Sequence, residues 1–189
     1  PATHGYMSNN GYLSTRTAVA ERLSEQSGLV VAPESVVMTA GAAGALNVVL
    51  KTLLDPGDEV ILLAPFFMEY LSYVDNHGGR CVVVQTDEAF MPDPAAIRKA
   101  ITPRTKAIII NTPNNPTGVV YGPDELESLR SVLESADHPI YVISDEPYSE
   151  IVYDGVQVPS TLAAFSHAIV CYSYSKSLSL AGERIGFIA

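Results

Sequence analysis

Four lysines occur in the 189 residues: Lys51, Lys99, Lys106 and Lys176. The first three fall in helical or turn-flanking stretches that read as solvated. Lys176 is different. It stands three residues past the end of the apolar run Ala168–Ser173, sits in Ser173-Tyr174-Ser175-Lys176, and precedes Arg184 by eight residues. An amine attacks a carbonyl only when deprotonated, and a neighbouring cation or desolvation lowers its pKa. A lysine alone is most often a surface residue, so the case for Lys176 as a nucleophile rests on its neighbours.

Other residues suit the same chemistry. Ala40-Gly41-Ala42-Ala43-Gly44 opens a helix directly after a strand. Small residues there let backbone N–H groups approach an anion, and the helix dipole favours negative charge; a tight strand-to-helix turn uses the same residues. Ser173, Ser175 and Arg184 add hydroxyl and guanidinium donors for a phosphate, although Arg184 also suits a structural ion pair. Asp145 ends the apolar strand Tyr141–Ser144, where an unpaired carboxylate is costly. A protonated pyridine nitrogen is one partner for it, and the charge so kept on the ring makes it an electron sink. A helix N-cap and a metal ligand are the other readings of Asp145. The metal is set aside because Glu146 points to the opposite side and no histidine stands at ligand spacing. Tyr148 and Asn115, the latter in Asn114-Asn115-Pro116-Thr117-Gly118, are placed to reach a phenolic oxygen on such a ring. Phe67 suits ring stacking or plain core packing.

These groups need a scaffold that brings them together. Candidate strands are Ser35–Thr39, Glu59–Leu63, Cys81–Gln85, Ala107–Asn111, Ile140–Ser144, Ala168–Ser173 and Ile185–Ala189. Helical spacing covers Thr15–Ser27, Gly44–Leu54, Phe67–His77, Pro94–Ile101 and Pro123–Ala136. Strand and helix in alternation imply an α/β fold, a largely parallel sheet with helices on both faces. In such sheets ligands bind beyond the carboxyl ends of the strands. Five strand ends carry the residues above, so one rim and one site are expected.

Composition bounds the reading. At 47% hydrophobic and 17% charged, the chain supports one well-buried core. A net charge of -10 argues against nucleic acid as a partner. Cys81 and Cys171 each sit in an apolar run and read as buried strand thiols; they and the scattered histidines make no metal site. The longest apolar stretch, Val60–Met68, is too short to span a bilayer, so no membrane is expected and a cytoplasmic location fits. Pro1 in place of methionine, and an end inside a strand, suggest a piece of a longer protein.

Ser173-Tyr174-Ser175-Lys176 with Gly182-Glu183-Arg184-Ile185-Gly186, Asn114–Gly118 and Asp145-Glu146-Pro147-Tyr148 resemble, in order, the motifs of class I/II aminotransferases. These are pyridoxal-phosphate enzymes of fold type I, and the likeness is greatest to the aspartate-aminotransferase-like branch. Gly11 with Arg16, Asp55-Pro56-Gly57-Asp58 and Pro65-Phe66-Phe67 also match. The resemblance covers essentially the whole chain. It implies a three-layer α/β/α large domain over residues 1–189, whose seven-stranded sheet is mostly parallel with the last strand antiparallel. It further implies that Lys176 holds the cofactor as a Schiff base and moves the substrate α-proton. Asp145 would hold the ring nitrogen, Asn115 and Tyr148 its O3′, and Phe67 its face. Ala42, Ala43, Ser173, Arg184 and, more weakly, Ser175 would hold the phosphate. Tyr6 matches a tyrosine that reaches the neighbouring subunit's phosphate, which implies a homodimer. The substrates would be an amino acid and a 2-oxo acid.

The family's arginine for the substrate α-carboxylate lies in a smaller C-terminal domain, beyond the end of this chain. The N-terminal arm is missing as well. A fragment of this kind is expected to bind the cofactor and to turn over poorly. Alternatives within the fold are a β-lyase, a decarboxylase or a racemase; from another class, the aminotransferase-like effector domain of a transcription regulator. A plain nucleotide-binding domain is disfavoured, because no Gly-x-Gly-x-x-Gly follows the first strand.

Overall fold

The computed structural model describes residues 5–189; Pro1, where the domain reading begins, lies outside them. In chain order the elements are α1 (Leu13–Ser27), β1 (Val37–Thr39), α2 (Gly41–Leu53), β2 (Glu59–Ala64), α3 (Glu69–Asn76), β3 (Arg80–Gln85) and α4 (Pro94–Ala100). Then follow β4 (Thr105–Asn111), α5 (Pro123–Leu133), β5 (Tyr141–Asp145), α6 (Thr161–Ala164), β6 (Ala168–Ser173), α7 (Tyr174–Ser177) and β7 (Gly186–Ile188). The sheet runs β1-β7-β6-β5-β4-β2-β3. Its pairs are parallel except for β7, which is antiparallel to both β1 and β6. The α/β class, the seven strands and the reversed last strand all agree with the sequence reading.

Alternation along the strands sorts the core into two faces. Ile61, Ile108, Ile110 and Val142 point to one side, where Ile97 of α4 and Leu126 and Leu129 of α5 cover them. Val60, Leu62, Ile109 and Ile143 point to the other, under Leu46 and Leu50 of α2 and Tyr70 and Val74 of α3. α1 lays the stripe Val19, Ala20 and Leu23 over Val170, Tyr172 and Phe187. Residues three and four apart in a helix share one face, so each helix needs only a few apolar positions to close its layer. β3 is an edge strand, and Cys81 there is half-buried; Cys171, in the middle of the sheet, is fully buried. The expectation of two buried thiols is therefore corrected for Cys81. Among the described residues no helix is long and apolar enough to cross a membrane.

Element ends depart from the sequence reading where local turns compete. Residues Pro33–Ser35 form a 3-10 turn closed by the Val36 N–H on the Pro33 carbonyl at 3.2 Å, so β1 starts at Val37. α2 begins at Gly41, three residues earlier than its apolar spacing indicates, because the chain turns straight from strand into helix with Gly41 at φ +73°. α6 and α7, of four residues each, are too short to leave a helical period.

One close approach sets the position of α2. A Cβ on Gly186 would lie 2.3 Å from the Tyr172 carbonyl oxygen and 2.7–2.8 Å from backbone atoms of Gly41. The first residue of α2 thus sits directly on β7, and backbone on both sides leaves nothing that can yield. Gly186→Ala should cost about 3 kcal/mol of stability, the upper end of overpacking penalties, read from the shift in denaturant midpoint at unchanged slope. A loss below about 1 kcal/mol would contradict this contact.

Candidate active site

A cavity of about 330 Å³ opens at the carboxyl ends of the strands. β1 and α2 bring Ala42 and Ala43 to it, the segment after β2 brings Phe67, and the loop after β4 brings Asn115. β5 and the turn beyond it supply Asp145 and Tyr148; β6 and α7 supply Ser173, Ser175 and Lys176, with Arg184 from the segment before β7. Ten of the eleven candidate residues therefore line one cavity. Tyr6 does not: it is fully exposed, away from this cavity. A cleft of about 360 Å³, lined by Leu133, His138 and Phe165, lies at the amino ends of β5 and β6. It gathers none of the candidate residues.

Asp145 is the electrostatic centre. It is 6% exposed. Its Oδ2 accepts from the Tyr70 hydroxyl at 2.6 Å, while Oδ1 is buried with no hydrogen-bond partner among the described residues. Burial pushes the Asp145 carboxyl up to about 7, against the Tyr70 hydrogen bond and with help from the Glu146 charge. Glu146 leaves on the opposite face, where its Oε1 accepts from Ser144 Oγ at 2.7 Å, and burial raises its pKa too. Cys171 shares the Asp145 face; burial, then the two carboxylates, hold its thiol well above the usual range. Tyr148 is likewise shifted up by burial and by Asp145, with the Asn115 amide opposing. Phe67 packs edge-on to Tyr70 with ring centroids 5.6 Å apart.

At the other end of the cavity the first turn of α2 has no side-chain cap, so its N–H groups are available to an anion. Arg184 Nη1 donates to Ser175 Oγ at 3.3 Å, and Ser173 Oγ donates to the same oxygen at 2.8 Å. A Cβ on Gly41 would meet Arg184 Nη2 at 2.8 Å and Ser173 Oγ at 3.5 Å, which shows how closely helix, serine and guanidinium converge. Arg184 also donates to the Ala181 carbonyl at 3.0 Å and has no carboxylate partner among the described residues. Lys176 is exposed and lines the cavity from α7.

Two buried residues that motif reading passed over hold this arrangement. Tyr70, 1% exposed, looks like an ordinary core aromatic in sequence. Asn111, 3% exposed, ends an apolar strand and gave only the faint signal of a polar residue in that place. Arg16 and Gly11 meet outside the cavity, where Arg16 Nη1 donates to the Pro33 carbonyl at 2.8 Å and Nε to Gly11 at 3.4 Å.

The family model for aminotransferase class I and II matches residues 1–189. The chain is 45% identical over 181 residues to a probable aspartate/prephenate aminotransferase of Thermus aquaticus, covering 94% of this chain and 46% of that protein. It is 40% identical to the aspartate/prephenate aminotransferase of Thermus thermophilus, again covering 94% and 46%. An amino transferase structure from Eubacterium rectale superposes with a TM-score of 0.95 at 44% identity, over 98% of this chain and 48% of that one. The Thermus thermophilus aspartate aminotransferase solved with maleate gives 0.91 at 39% identity, over 98% and 48%. The chain thus spans about half the length of the curated relatives it matches.

The ionisation of Asp145 has a definite sign. The folded chain holds this proton up to about pH 7, from an ordinary value of 3.8, so between the two the native state binds more protons than the unfolded one. Its contribution to stability is full below about pH 4 and is lost as pH rises through about 7. In cofactor-free protein the stability of wild type relative to Asp145→Asn should fall by roughly 3–4 kcal/mol across that window, measured by denaturant unfolding at each pH. Tyr70→Phe removes the hydrogen bond that opposes the shift and should move the midpoint higher. A wild-type advantage that grows with pH would mean the carboxylate is ionised throughout.

Proposed function

The chain belongs to the class I and II aminotransferase family, and from that premise we propose that it is the large, cofactor-binding domain of a pyridoxal-phosphate-dependent aminotransferase. The reaction proposed is transfer of an amino group between an L-amino acid and a 2-oxo acid. The observation that carries this reading is the unpartnered, buried Oδ1 of Asp145, a residue that lines one cavity with the Lys176 amine and the uncapped start of α2. A buried acceptor left unpaired costs about 1–3 kcal/mol, so the site is suited to a ligand that brings a donor to that atom. A pyridinium N–H is such a donor, and the Ala42 and Ala43 N–H groups with Ser173, Ser175 and Arg184 suit a phosphate. The residues present fit the cofactor.

When bound, the cofactor supplies a carbonyl carbon for amine condensation and a cationic ring that withdraws electrons from the substrate α-carbon. Lys176 Nζ, which lines the cavity from α7, would be the amine that holds the cofactor and, as a free amine, the base that moves the substrate α-proton. Asp145 would hold the ring nitrogen and its proton; a cation there would favour the carboxylate form and offset the burial that otherwise holds the Asp145 proton. Asn115 and Tyr148 would hold the ring's O3′, and Phe67 would pack against the ring; all three line the cavity. Tyr6, exposed here, suits a contact with the phosphate of a second copy, which makes a homodimer part of the proposal. A cytoplasmic setting also belongs to it.

The visible absorbance of bound pyridoxal phosphate should appear on reconstitution and be lost in Lys176→Ala. Asp145→Asn should weaken the cofactor by at least about tenfold, the loss of one charge-assisted hydrogen bond. Because the chain spans about half of its relatives, residues 1–189 alone should bind the cofactor yet transaminate slowly in a panel of amino donors with 2-oxoglutarate. An unchanged spectrum in Lys176→Ala would sink the assignment of that lysine, and full turnover by residues 1–189 would sink the division of labour.

A further inference from the structure

Asn111 closes β4, is 3% exposed and borders the cavity. Both polar ends of its side chain are engaged by backbone groups of two different motifs. Nδ2 donates to the Asp145 carbonyl oxygen at 2.8 Å, and Oδ1 accepts from the Asn115 N–H at 2.6 Å. β4 and β5 pair in register through Asn111 and Asp145, the last pair of that ladder. Two residues on, Pro113 has no N–H with which to continue it. The side chain takes over where the backbone ladder stops, and it ties the end of β5 to the loop that carries Asn115.

The chemistry of the side chain suits this double task. A primary amide presents a donor and an acceptor from one planar group. Aspartate keeps the acceptor and loses the donor, serine is too short to span both partners, and leucine leaves both without a bond in a buried place.

The geometry points to Asn111 as a positioning residue whose side chain clips Asn115 to Asp145 and so fixes their separation. For the meaning of that separation the inference rests on the function proposed above, in which these two residues grip the ring at its O3′ and its nitrogen; the clip itself needs no cofactor. Asn111 touches no reacting atom in this scheme. It acts through the two residues it joins, and β4 supplies the rigid base from which it does so.

The test compares Asn111→Ser with Ile97→Val, a small cavity in the cluster under α4 that serves as the control for a general loss of stability. In cofactor-free protein, amide exchange followed by NMR should show Asn115 at least about tenfold less protected in Asn111→Ser and unchanged in Ile97→Val. With pyridoxal phosphate added, Asn111→Ser should raise the Kd about tenfold and displace the pH midpoint of the bound cofactor's absorbance, while Ile97→Val does neither. Unchanged Asn115 protection, or equal changes in both variants, overturns the clip. Lost protection with unaltered affinity and midpoint overturns the positioning role. Should Asn111→Ser not fold, Asn111→Asp replaces it: Asn115 protection retained with weakened cofactor supports the inference, and both retained overturns it. A wild-type protein that binds no pyridoxal phosphate sinks the proposed function, and the exchange measurement still decides the clip.

Discussion

A carboxylate buried at the end of a β-strand, with one oxygen satisfied and the other not, is the constraint around which this structure is organised. Tyr70 occupies Oδ2 of Asp145 and leaves Oδ1 buried without a partner in a residue that lines the cavity. A buried carboxyl in that state keeps its proton or finds a cation. Everything that sets its surroundings is therefore tied to what the cavity can hold. α3 is fixed against the sheet through Tyr70 and Val74, so the packing of that helix and the aim of the carboxylate are one event. Cys171, on the same face and held neutral by the same burial, adds no charge of its own.

The opposite end of the cavity depends on a steric condition instead. α2 reaches its place because Gly186 lets the backbone at Gly41 come closer to β7 than any side chain permits, while the bare Gly41 leaves room for the Arg184 guanidinium. That contact brings an uncapped helix start beside Ser173 and Arg184. The chain as a whole carries -10, yet the cavity draws two cations, Lys176 and Arg184, to one rim. Net charge describes the solvent-facing surface; the local field comes from a helix end and two side chains held on short segments around β6 and β7.

The two ends are linked through the sheet. Strands β4, β5 and β6 lie side by side in parallel, so their carboxyl ends and the loops beyond them share one edge. Antiparallel β7 returns from the rim between β6 and β1, and the segment before it carries Arg184. Reversal of that one strand is what lets a residue late in the chain return to a helix that begins at Gly41.

Much of this was legible in the sequence. Alternating apolar runs and helical spacing determined the α/β class, because periods of 2 and 3.6 are written directly in residue order. Lys176, Asp145, Asn115, Tyr148 and Arg184 stood out as reactive types at strand ends, and the rule that ligands gather at those ends was enough to expect one cavity. Tertiary structure alone decided the rest. Tyr70 is 75 positions from Asp145 and has the composition of a core residue; only the docking of α3 makes it a hydrogen-bond donor. Asn111 became a clip only once β4 and β5 were in register. Gly186 read as a strand glycine until α2 was laid across it. Tyr6, singled out only by the family resemblance, is not among the residues that line the cavity of the single chain. Sequence order encodes local periods and side-chain chemistry, whereas contacts between distant residues exist only after the layers have packed.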